Sequence, residues 1–314
     1  MAAVDQDAEP IFLRDRTVAN RQQHETLEYF RSHAEEWERR TSPGATQPVN
    51  ITKQRNDFVL DVVARRAGTA SALDVGCGPG DLVLDLAREG IDTVGIDFAP
   101  EMIRIAEERA EAEGVQGARF VCGDVFSEQV EWPAQDCISA NGFIEYISGR
   151  QLRRFLEMCR THLRPDGSLV LGSRNRLFNV FSLNAFTMLE IQQGAVLPLL
   201  SEAIALAGPS TYEDLLRLEV APVIDAELDL PRTGIDVATR LQYTPVQLMK
   251  LLAGAGFRIV ELAPVHIHAI APRLGASLSL LHVTTSAYLH AQAAHERAAI
   301  PQASSFMVHA VRIG

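Results

Sequence analysis

The chain predicts an α/β fold, an open parallel sheet of seven strands wrapped by helices, and three observations carry that prediction. From about residue 70, short β-branched and apolar runs alternate with stretches of helical periodicity. A glycine-rich turn, Gly76-Cys77-Gly78-Pro79-Gly80, directly follows the first strand-like run. The 314 residues, 47% hydrophobic and 22% charged, suffice to bury one large core with a smaller cap.

Taken in order, residues 1–55 read as an N-terminal arm, with an apparent helix around Thr26–Arg40 and then the Pro/Gly-bearing stretch Thr41–Pro48. The predicted strands are Ser71–Val75, Thr93–Asp97, Ala118–Cys122, Asp136–Asn141, Ser168–Ser173, Phe257–Leu262 and Ser305–Val311. Between the fourth and fifth, Leu152, Phe155, Leu156, Cys159 and Leu163 follow helical spacing after Ser148, and Leu163–Gly167 ends that helix in a turn. Thr244 and Pro245 supply an N-cap and first helical position for Val246–Ala255, which stops at Gly256. The core then comprises residues 56–176 and 244–314. Two segments interrupt it: 177–243, rich in Leu and Ala over Phe186–Ala207, and 264–302, with the apolar run Leu274–Leu289. Both follow strands expected to run parallel to the first, so both are expected over the carboxyl ends of the strands as a mainly helical lid.

A net charge of −11 opposes binding to a phosphate backbone, and basic residues cluster only at Arg153/Arg154 and Arg174/Arg176. Nucleic acid is therefore not the expected partner. Asp5, Asp7 and Glu9 replace the basic start of a secretory signal, and no run approaches the roughly 20 apolar residues of a membrane span. The four cysteines are scattered without a C-x-x-C pair, and no ligand spacing suggests a metal site. These features predict a cytoplasmic protein with reduced thiols.

The glycine turn has the spacing G-x-G-x-G, which departs from the G-x-G-x-x-G that seats a dinucleotide pyrophosphate. Its glycines permit a sharp turn and close backbone approach to a ligand at a helix N-terminus. Asp97 closes the second strand about twenty residues further on, where a carboxylate can accept both hydroxyls of a ribose. Asp124 follows the third strand, where it can accept from an adenine amino group. Three successive strands thus end in groups suited to a nucleoside.

Asp74–Gly80, Asp97 with Phe98–Met102, Asp124-Val125 and Leu163–Val170 resemble the ordered motifs of the class I methyltransferases that use S-adenosyl-L-methionine (SAM). The match is closest to the branch containing the ubiquinone and menaquinone methyltransferases, over roughly residues 70–175 and 244–263. The resemblance implies a doubly wound, Rossmann-like sheet, mostly parallel with one antiparallel strand, and SAM as cofactor, leaving as S-adenosyl-L-homocysteine. It places Gly76, Gly78 and Gly80 along the methionine portion, Asp74 at its ammonium and Asp97 at the ribose. Phe98 and Met102 would flank the adenine, Asp124 and Val125 meet its edge, and Asn141 and Gly142 lie beside the sulfonium. Tyr29-Phe30 with Ala34–Trp37 resembles the N-terminal helix that closes over the cofactor, and Tyr29 is taken as a substrate-side residue. The same pattern also describes an amphipathic helix packed on the core.

Methyl transfer from a sulfonium is an in-line displacement, so positioning is the main requirement, and a hydroxyl acceptor benefits from a general base. His266 and His268 face one side if the sixth strand stays extended, and they are candidate bases or ordinary lid histidines. Glu145, beside Tyr146, is the next candidate. Arg174 and Arg176 end the fifth strand and can clamp an acidic group of the acceptor or pair with lid acids such as Glu213 or Asp214. The sequence Ala140-Asn141-Gly142-Phe143 lacks the proline-rich tetrapeptide of enzymes that methylate nucleic-acid amino groups. The expected activity is methyl transfer, O-methylation first, to a natural-product, quinone-like, sugar or lipid-like small molecule. The alternatives are a non-catalytic SAM-binding scaffold or regulator, and an RNA or protein methyltransferase. A nicotinamide-dependent oxidoreductase is disfavoured by the glycine spacing.

Overall fold

The computed structural model describes residues 18–41, 49–127, 130, 132–224, 230–231, 237 and 241–314. Residues 42–48 of the predicted Pro/Gly stretch, and the acidic start of the chain, lie outside them. The seven strands are β1 Ser71–Val75, β2 Asp92–Asp97, β3 Ala118–Cys122, β4 Gln135–Asn141, β5 Leu163–Arg174, β6 Phe257–Ile267 and β7 Ala303–Arg312. They form one sheet in the order β3-β2-β1-β4-β5-β7-β6. The first five pair in parallel, while β7 runs antiparallel to both β5 and β6. The order reverses between β1 and β4, and a ligand crevice forms at such a switch point beyond the carboxyl ends of the strands.

Period-two alternation decides which side each residue faces. Leu73, Val75, Leu169, Leu171, Phe306 and Val308 enter one core layer with Phe155 and Leu156. Their neighbours Ala72, Val170 and Met307 enter the other with Phe58, Val59 and Leu82. Both faces are therefore covered, which explains the nearly continuous apolar runs of the central strands.

Helices α1 (Val18–Ser32) and α2 (Ala34–Thr41) divide the single predicted N-terminal helix at His33. The Ser32 hydroxyl bonds back to the carbonyls of Glu28 and Tyr29, a local competitor for helix propagation. Helix α3 (Ile51–Arg65) is capped by the Asn50 side chain and buries Phe58, Val59, Val62 and Val63 against the sheet. It runs straight through the expected boundary at residue 55, so its first turn is continuous with the core. Helices α4 (Asp81–Arg88), α5 (Pro100–Ala112), α6 (Gly149–His162) and α11 (Pro245–Gly254) complete the wrapping. Capping boxes at Ser148/Gln151 and Thr244/Gln247 start the last two where the sequence placed their starts.

The expected turn at Leu163–Gly167 is instead a bulge inside β5. Leu163 pairs with Gln135 and Ser168 with Cys137, and the intervening loop carries Asp166 at φ +58°. Segment 177–243 holds α7 (Phe178–Ser182), α8 (Ala185–Gln192), α9 (Val196–Ala207) and α10 (Tyr212–Leu216). Segment 264–302 holds the end of β6, α12 (Pro272–Ser277), α13 (Ser279–Ala293) and a 3-10 turn at Arg297–Gln302. The two insertions pack on each other, and Arg297 donates to the carbonyls of Leu206 and Gly208. Among the described residues no helix is long and apolar enough to cross a membrane.

Candidate functional site

The crevice at the switch point is a cavity of about 300 Å³. Its floor is the glycine turn. Gly76 (φ +73°) and Gly78 (φ +53°) take left-handed conformations, while the amides of Gly76 and Cys77 both donate to the Ile96 carbonyl. This folds the turn back onto the end of β2, and both glycines line the cavity. Gly80 does not. Its φ is +82°, and an added Cβ would sit 2.9 Å from Ala106 Cβ and the Phe120 ring, so it lets α4 pack tightly against α5 and β3. Its expected place along the methionine is corrected to a packing role.

Asp97 is held from below by two backbone donors, Gly78 N to Oδ2 at 3.0 Å and Ala99 N to Oδ1 at 2.9 Å. Burial pushes its pKa up to about 6. Asp74, at the end of β1, accepts from Ser139 Oγ at 2.7 Å, and burial pushes it up to about 7, with Asp97 and Asp81 adding to the rise. Two desolvated carboxylates facing one cavity make a site that favours a cationic, hydroxyl-bearing ligand. Asp124 Oδ1 accepts from Phe126 N at 2.9 Å, and burial raises its pKa as well. Asp74, Asp97, Phe98, Met102, Asp124, Val125, Asn141 and Gly142 all line the cavity.

Opposite the glycine turn the wall is N-terminal. Gln23, Thr26, Phe30 and Trp37 contribute to it, with Phe30 edge-on to Trp37 at 5.3 Å and to Tyr146 at 5.8 Å. Tyr29 is not on the wall. One residue of helical rotation turns it aside, where it stacks on His33 at 4.4 Å, so its substrate-side placement is corrected. None of the described residues of 177–243 or 264–302 lines the cavity, so the described part of the two insertions does not supply the expected lid.

Arg55 is the residue that the sequence reading missed. It reaches from α3 to donate through Nη2 to Ser305 Oγ at 3.0 Å and stands 3.8 Å from Glu145 Oε1. A Cβ on Gly142 (φ +84°) would lie 2.6 Å from its Nη1 and would displace the guanidinium, and the left-handed backbone there favours glycine. No local pattern marks Arg55, because its partners are brought up by β4 and by β7.

Of the other predicted residues, Glu145 is buried and lines the cavity from the 3-10 turn Ile144–Tyr146 that follows β4. Arg174 lines it from the end of β5. Arg176 is only 2% exposed and faces away, forked onto the fully buried Glu190 of α8 at 2.8–3.2 Å and bonded to the Pro222 carbonyl. It clamps the helical insertion to the end of β5 and does not clamp an acceptor, and its partner is neither Glu213 nor Asp214; Asp214 takes part in the capping box of α10 with Thr211. His266 and His268 do share a side, their rings 4.1 Å apart, although His266 has φ +57° and is not extended. Neither lines the cavity, because β6 is the outermost strand, separated from β4 by β5 and β7. Their candidacy as bases at this cavity is corrected for that reason.

A family model described as "Methyltransferase domain" matches residues 72–167. The ubiquinone biosynthesis O-methyltransferase of Xylella fastidiosa (strain M23) is 30% identical over 209 residues, covering 65% of this chain and 76% of that protein. The mitochondrial ubiquinone biosynthesis O-methyltransferase of Mus musculus is 29% identical over 178 residues, 55% of this chain and 44% of its own. In fold, the chain resembles the SAH-bound magnesium protoporphyrin IX methyltransferase of Synechocystis PCC 6803, with a TM-score of 0.56 at 15% identity over 93% of this chain and 99% of that one. With the glycine turn, the three strand-end acids and the switch-point cavity in place, the chain belongs to the class I methyltransferases, enzymes that use S-adenosyl-L-methionine as cofactor.

Proposed function

We propose that this enzyme methylates a hydroxyl group of a small, partly apolar molecule. The observation that carries the reading is the single cavity of about 300 Å³ in which the cofactor-side acids share walls with Phe30, Trp37, Phe143, Arg55, Glu145 and Arg174. A site of that size, walled by aromatic residues with a few convergent polar groups, suits a small acceptor better than a polymer. The net charge of −11 and relatives named as ubiquinone biosynthesis O-methyltransferases point the same way.

In this reading Asp97 accepts the ribose hydroxyls and Asp74 faces the ammonium. Phe98, Met102, Asp124 and Val125 surround the adenine, and Gly76, Gly78, Asn141 and Gly142 border the methionine and sulfonium. Helices α1 and α2 close over the cofactor. Held by these residues, SAM would supply an electrophilic methyl to the acceptor oxygen and leave as S-adenosyl-L-homocysteine with the electron pair on sulfur, and Glu145 would take the hydroxyl proton. Arg55 positions that carboxylate, and Arg174 orients the acceptor. Transfer of labelled methyl from SAM into size-fractionated cell extract tests the reading. Label in the low-mass fraction, lost with Asp97→Ala, supports it; label in macromolecules overturns the acceptor class, and SAM binding without any transfer overturns the catalytic one.

A further inference from the structure

Outside the cavity three histidines converge from two elements: His266 and His268 at the end of β6, and His282 in the first turn of α13. One ring nitrogen from each lies within 4.8 Å of the other two. Their ring centroids are 4.1, 4.8 and 5.6 Å apart. His268 is 7% exposed, and neither of its ring nitrogens has a hydrogen-bond partner; His282 Nδ1 is likewise buried without one. A buried polar nitrogen left unsatisfied costs about 1–3 kcal/mol, so unpartnered nitrogens on two of three converging imidazoles call for a ligand. His266 differs in a telling way. Its Nδ1 is engaged by Ser304 Oγ at 3.1 Å, which orients the ring and leaves Nε2 available, the arrangement that steers metal-bound imidazoles.

We propose that His266, His268 and His282 bind one divalent transition-metal ion of the zinc class, which clamps α13 onto the end of β6 and retains an open coordination position. Three imidazole nitrogens select zinc-like ions over magnesium or calcium, which prefer oxygen. Metal–nitrogen bonds of about 2.0–2.1 Å in a tetrahedron set the nitrogens about 3.3 Å apart, so the widest separation closes by about 1.5 Å, within reach of side-chain rotation. Gly275 of α12 leaves space for this: a Cβ there would press on the His282 ring at 3.2 Å. Ser304, which also lines the cofactor cavity, joins the two sites. The spacing H-x-H followed by a third histidine fourteen residues later matches no familiar ligand pattern, so the sequence alone predicted no metal.

The test is a titration of the full-length, chelator-stripped protein with Zn²⁺ against a chromophoric indicator, followed by Co²⁺ absorption spectra, both without SAM. The expected result is one ion per chain, visible Co²⁺ bands and a raised Tm. His282→Ala, on a half-exposed helix and so compatible with folding, should weaken binding by more than about 100-fold and abolish the Co²⁺ bands. His290→Ala, on the same helix but outside the triad, should leave both unchanged. Absence of stoichiometric binding by the wild-type chain, or equal affinity in His282→Ala, overturns the proposal. Because the readout is metal and not methyl transfer, its failure leaves the proposed function untouched.

Discussion

Removing Glu190 should destabilise the protein severely while sparing the cofactor site. The Arg176 guanidinium makes three contacts of 2.8–3.2 Å with Glu190 Oε1 and Oε2, at 2% and 0% side-chain exposure. In Glu190→Ala the guanidinium stays buried with the Pro222 carbonyl as its remaining hydrogen-bonding partner, and Asn179 loses one of its two acceptors. Breaking a buried pair from one side costs about 3–5 kcal/mol. For 314 residues the unfolding entropy is about 0.7 kcal/mol per kelvin, so Tm should fall by about 5–8 °C. Replacing both partners with apolar residues, Arg176→Met with Glu190→Leu, should recover most of that loss, because no buried charge is stranded. Calorimetric melts of the three proteins measure this, with SAM titrations at low temperature alongside. A Glu190→Ala melt within 1 °C of wild type, or a double variant as unstable as the single one, would refute the assignment of Arg176 as the clamp that fastens the helical insertion to β5.

Gly142→Ala should weaken SAM binding and lower Tm, since its Cβ meets Arg55 Nη1 at 2.6 Å and φ +84° adds about 1–3 kcal/mol of strain; calorimetric binding checks it, and wild-type affinity would contradict it. Glu145→Gln should lower kcat by about 10²–10⁴-fold with the Kd for SAM unchanged, as measured by single-turnover transfer and by calorimetry. SAM affinity should rise with pH between about 5.5 and 7.5 and then level off, with protons released on binding. The sign follows from Asp97 and Asp74, whose pKa values are raised to about 6 and about 7 and which must ionise to meet a cation. Binding enthalpies in buffers of different ionisation heat count those protons. The same shifts predict that the ligand-free protein loses stability as pH rises from about 4 through 7, because the folded state holds protons that the unfolded chain has already released.

The sequence by itself determined what short-range chemistry encodes. Short apolar runs bounded by turn residues mark the seven strands, and the strand–glycine–helix turn at Gly76–Gly80 follows Asp74 at the end of the first of them. Ser148 and Thr244 start their helices through side chains only three residues from their partners. Each of these signals is complete within a few residues. Only the tertiary structure decided the rest, because its partners are remote in the chain. Arg55 meets Ser305 across 250 residues. Tyr29 and Phe30 are separated by one step of helix rotation, which sequence periodicity did not resolve. Arg176 turns from the cavity because Glu190, on a helix the sequence could not orient, offers it a buried carboxylate. His266 and His268 miss the cofactor cavity because β6, sixth along the chain, is last in the sheet. The hairpin-like pairing that carries them there also brings them to His282, a convergence decided by how α13 packs on the strand and not by any spacing along the chain.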